Sequence, residues 1–154
     1  MILKVSLFLH VIAAIFWIGG MLFLTLVVAP FLKTLELEKK REIYQVVGTK
    51  YRFWGWIALG IMLVTGPVNL YYFGVTPDML FDPSFYTTPY GRRVVEKIGL
   101  VIIVLISSVL HDFWFGPGAR SSQTYSKIAM ILGRANLLIA LAIVVLAVMI
   151  RTGG

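Results

Sequence analysis

The chain has 154 residues, 59% hydrophobic and 14% charged, with a net charge of +7, two histidines and no cysteine. A composition this apolar excludes an ordinary soluble domain and a disordered chain, and it places the basic residues at membrane surfaces rather than on nucleic acid. The lack of cysteine excludes disulfides, thiolate zinc sites, iron–sulfur clusters and covalent c-type haem.

A helix needs about 20 apolar residues to cross the hydrocarbon core. Four stretches are long enough, and they are continuously apolar rather than alternating, which argues against barrel strands. The expected fold is therefore all-α: an integral membrane four-helix bundle forming a single transmembrane domain over residues 1–154.

The first span covers residues 3–32. It runs well past signal-peptide length and has no convincing cleavage site, so it is expected to be a retained anchor. His10, Ala13, Ala14, Trp17 and Gly20 share one of its faces by their spacing of three and four. The following connection, 33–52, carries six Lys or Arg and an amphipathic stretch from Leu35 to Tyr44, which suggests helix extending beyond the bilayer. The second span, 53–73, contains Gly66-Pro67, an expected kink, and Asn69. Residues 74–91 are rich in Pro, Asp, Tyr and Phe and read as an ordered loop on the membrane surface.

The third span, 94–115, opens beside Arg92, Arg93, Glu96 and Lys97. It closes on His111 and Asp112, with Gly116-Pro117-Gly118 as its expected stop. Asp112 is the sole acid well inside a span and should have a partner, Arg134 or Arg120. The fourth span, 128–150, brings Arg134 and Asn136 near that level.

Basic residues set the orientation. Nine Lys or Arg lie on or beside the first and third connections and five lie on the other face. This predicts a multi-pass protein of the cell (inner) membrane with both termini outside the cytoplasm.

An imidazole in hydrocarbon marks a functional site by default. At 1.5 Å per residue, His10 and His111 each lie roughly 10 Å from their helix midpoints, on opposite sides. Two ligands about 2 Å from one metal cannot easily bridge that offset. A bis-histidine haem within one protomer is therefore disfavoured, and each histidine belongs to its own neighbourhood. Near His10, the cations Arg92, Arg93 and Lys97 suit haem propionates or an anionic substrate. Their ordinary alternative is snorkelling at the interface. Near His111, Asp112 forms either a structural ion pair or a support for metal or proton handling, with Arg134 and Asn136 as further supports.

The chain resembles the CopD-like (copper resistance protein D) membrane family and, more distantly, the HemJ-like protoporphyrinogen oxidases. The carrying residues are His10-x(6)-Trp17-x-Gly19-Gly20, Glu96-Lys97 opening the third span, and the run from His111 to Pro117. The resemblance extends over all four spans in order. It implies copper uptake across the inner membrane in the first case. In the second it implies b-type haem and porphyrinogen oxidation, with a helix-one histidine and a helix-three lysine matching His10 and Lys97.

The leading expectation is a membrane-embedded haem b protein with an electron-transfer or oxidoreductase role. His10 is its axial ligand, and Trp17, Arg92, Arg93 and Lys97 hold the cofactor. His10 from two protomers clamping one haem at a homodimer interface would remove the depth problem. A redox protein or quinone and the lipid bilayer complete the expected partners. The alternative is a copper or proton-coupled transporter with His10 and His111 on the metal. Copper(I) prefers thiolate and thioether ligands, and the six methionines form no cluster. A structural subunit of a larger membrane complex is a third reading.

Overall fold

A computed structural model describes residues 1–119 and 122–152. Four helices have the length and apolarity to cross a membrane: α1 Ile2–Leu32, α2 Leu37–Tyr72, α3 Pro89–Gly118 and α4 Gln123–Thr152. No strand occurs among the described residues. The protein is all-α and multi-pass, as its composition requires.

The chain divides into two compact units, Met1–Val75 and Thr76–Gly154. Each is an antiparallel helical hairpin. In the first, α1 packs on α2: Ser6 and His10 meet Thr65, Trp17 meets Gly55, and Gly20 meets Tyr51. In the second, α3 packs on α4: Ser108 meets Asn136, His111 meets Gly133, and Phe115 and Gly118 meet Tyr125.

The burial pattern is that of lipid-embedded helices. Small and polar residues are inside, among them Ser6, Ala13, Ala58, Thr65, Ser108, Ala129 and Asn136, while Phe8, Ile15, Val64, Ile131 and Leu138 are exposed. In water such a surface would aggregate. In hydrocarbon, small inward residues let helices approach closely, and polar ones bond across the interface.

All four helices start before the apolar runs do, and local chemistry explains two of these starts. At α3, the Thr88 hydroxyl accepts the Gly91 N–H (3.0 Å), and Pro89 occupies the first helical position, where its missing N–H costs nothing. At α4, the Ser122 hydroxyl accepts the Tyr125 N–H. The basic stretch after residue 36 is the first part of α2, as the amphipathic pattern suggests. Pro67 lies inside α2 without breaking it, although it cannot donate to the carbonyl of Leu63. The helix ends in a Schellman motif. Val75 N–H bonds the Leu70 carbonyl, Gly74 N–H bonds the Tyr71 carbonyl, and Gly74 sits at φ +88°.

The expected stop at Gly116-Pro117-Gly118 needs correction, because α3 runs through it to Gly118. A π-helical segment, Leu110–Phe115, absorbs the proline. The N–H of Gly116 bonds the carbonyl of His111, so the wider ring closes immediately before Pro117. The same device occurs in α1, where Leu24–Val28 is π-helical and the Ala29 N–H bonds the Leu24 carbonyl ahead of Pro30. The two hairpins thus share a construction that side-chain identity conceals.

The 74–91 connection is ordered, as expected. It contains a 3-10 turn, Asp78–Phe81, and a short helix, Pro83–Thr87. Asp82 caps that helix by accepting the Ser84 N–H (2.8 Å). Bonds from the Ser84 side chain and backbone hold the Asp82 carboxyl below the usual carboxylate range.

Candidate functional site

The first hairpin fixes one imidazole. His10 projects from α1 toward α2, and its Nδ1 lies 2.8 Å from the Thr65 hydroxyl. Thr65 has one hydroxyl proton, and it donates that proton to the Ile61 carbonyl (2.7 Å). Its oxygen therefore receives the bond from His10, whose Nδ1 must carry the proton. In the neutral ring the lone pair is then on Nε2. Gly66, next to Thr65, faces His10 Cε1; a methyl group there would lie 3.6 Å from it. Ser6, one turn away on α1, donates to the Thr65 carbonyl (3.4 Å). One turn along α2 from Thr65, the Asn69 side-chain oxygen is buried with no hydrogen-bond partner.

The predicted face of α1 holds, with a structural division of labour. Trp17 is buried against Gly55, and its carbonyl accepts the Tyr51 hydroxyl (2.6 Å). Gly20 leaves room for the Tyr51 ring. Sequence reasoning missed Thr65, Ser6 and Tyr51. A threonine and a serine in apolar helices give no periodic signal, and Pro67 and Asn69 drew attention instead.

The second hairpin fixes the other imidazole. His111 Nδ1 donates to the Asp112 carboxylate at 2.6 Å. The expected partners of Asp112 were arginines. Arg120 lies outside the described residues, Arg134 is exposed beside Gly133, and the adjacent histidine is one partner of Asp112. Asn136 is close in sequence, but its amide donates to Ser108 (3.2 Å) rather than to the His111–Asp112 pair. Arg92 is exposed, and Arg93 and Lys97 are half-buried, all near the start of α3. None of the three makes an ion pair among the described residues. They lie in the second hairpin, whereas His10 and Trp17 lie in the first.

Among the described residues, no three His, Asp or Glu side chains gather into one metal shell. Each histidine has its Nδ1 tied to a neighbouring side chain. Such bonds orient an imidazole and raise its basicity in metal-binding proteins.

Comparison with known proteins places this architecture. The copper resistance protein D (CopD) family matches residues 45–150, which is most of α2 and nearly all of the second hairpin. The chain belongs to the CopD family. A protein of Aquifex aeolicus (strain VF5) described as uncharacterized is 40% identical over 151 residues, covering 97% of this chain and 96% of its own. The copper transport protein CutJ of Bacillus subtilis (strain 168) is 28% identical over 104 residues, 68% of this CopD chain. The matched part is 18% of CutJ's length. No solved structure matches the chain.

Proposed function

We propose that this CopD protein moves copper across the membrane, with His10 as a transient ligand. Membership of the CopD family carries the reading, and it favours copper over the haem b oxidoreductase that the histidine count first suggests. The likeness to CutJ, a copper transport protein, points the same way. Copper here is cargo. A carrier must bind its ion strongly enough to take it from water and weakly enough to release it. A single oriented imidazole meets that requirement better than a closed set of thiolates, which hold copper(I) tightly. The His10–Thr65–Ile61 chain supports this role, because it orients the ring and puts the lone pair of the neutral imidazole on Nε2.

The test is metal analysis and an absorption spectrum on one purified sample, from cells grown with both copper and a haem precursor. The expected result is bound copper that falls in His10→Ala, with no Soret band. A Soret band without copper would restore the haem reading. Unchanged copper in His10→Ala would remove His10 from the path.

A further inference from the structure

We propose that His111, Asp112 and Gly133 form a second copper station in the α3–α4 hairpin; this rests on copper being the cargo. Three features of that hairpin support it. The first is the pair itself. His111 Nδ1 donates its proton to the Asp112 carboxylate across 2.6 Å between nitrogen and oxygen, so the lone pair is on Nε2 and the carboxylate makes it a better donor. The π-helical segment assists: one more residue in the ring turns successive side chains through a smaller angle, bringing neighbours 111 and 112 together. Gly116 permits that segment, since a Cβ there would lie 2.8 Å from the His111 carbonyl oxygen.

The second feature is room at the donor atom. Nε2 faces α4 at Gly133, where an added Cβ would be 3.6 Å away, so any longer side chain would occupy the ligand's position. The His111 side chain is 34% accessible and that of Asp112 19%, so the ring can be reached while its support is mostly covered.

The third feature is a polar lining one turn farther into the hairpin. Ser107 Oγ and Asn136 Oδ1 are buried with no hydrogen-bond partner. Such atoms are costly when left unpaired, and the remaining hydration shell of an ion would satisfy them. Imidazole with oxygen donors is a set that copper(II) accepts. Asp112 is a positioning residue here, acting through His111.

The experiment is copper(II) titration of the protein in detergent against a competing chelator. Wild type should bind two equivalents, and His10→Ala and His111→Ala one each. In the His10→Ala background, Asp112→Asn should keep one equivalent at 10- to 100-fold weaker affinity, and Asp112→Glu should restore it. Gly133→Val should block the same site with both histidines' supports intact, and so serves if His111→Ala misfolds. One equivalent in wild type, abolished by His10→Ala, would overturn the second station and leave the copper reading standing. No copper in wild type would overturn both. Equal affinity in the Asp112→Asn and parent proteins would remove Asp112 from its role.

Discussion

At the scale of single residues, hydroxyl protons decide the chemistry. Thr65 has one proton to give and gives it to Ile61, so it can only accept from His10. Thr65→Val keeps the shape but leaves Nδ1 unbonded, which frees the ring to rotate or change tautomer. Copper affinity should fall 10- to 100-fold, while stability falls by only about 1 kcal/mol, as for other hydrogen bonds between membrane helices. Thr65→Ser should retain both properties; a competition titration and an unfolding curve in mixed micelles check this pair. Gly20 presents a packing constraint instead. An alanine Cβ would sit 2.2 Å from the Tyr51 ring, so Gly20→Ala should cost about 1–3 kcal/mol and disturb the Tyr51–Trp17 bond. His10 itself was legible, because histidine is rare in a span and lies on a small-residue face. Its partner was not, because threonine in a transmembrane helix usually bonds its own preceding turn, and Thr65 does that as well.

At the scale of elements, the two π-helical segments are the informative feature. Each lies directly ahead of a proline, Pro30 or Pro117, and each lets a helix continue where hydropathy and Gly-Pro-Gly spelling suggest it ends. Composition shows the proline but not the wider ring that accommodates it, so the stop predicted after Phe115 was misplaced. Gly116→Ala should be destabilising by about 1–3 kcal/mol, because the Cβ would strike the carbonyl that closes the ring. Gly133→Ala, in ordinary contact at 3.6 Å, should be close to neutral, and thermal unfolding of the two variants gives the comparison. The start of α3 was readable in principle. Thr88-Pro89 spells a capped helix with proline at its first position, a signal independent of hydropathy. Thr88→Ala should cost about 1 kcal/mol, read as earlier unfolding of the second hairpin by hydrogen exchange.

At the scale of the whole molecule, length and apolarity were enough for four spans and an all-helical fold. The basic-residue asymmetry predicts both termini outside the cytoplasm. The lack of native cysteine makes this simple to check with single substitutions Ile2→Cys and Thr152→Cys. Both should react with an impermeant maleimide in intact cells, and labelling only after lysis would reverse the orientation. Function was less legible. Two histidines and no cysteine suit haem as readily as copper on ligand counting alone, and CopD membership is what favours the copper proposal. The central claim is copper movement through a path that includes His10, and copper uptake by sealed vesicles containing the purified full chain tests it most directly. The account predicts uptake above that of protein-free vesicles, reduced at least about tenfold in His10→Ala, on the scale of losing a metal ligand or its support. Uptake by wild-type vesicles equal to that of protein-free vesicles would contradict it.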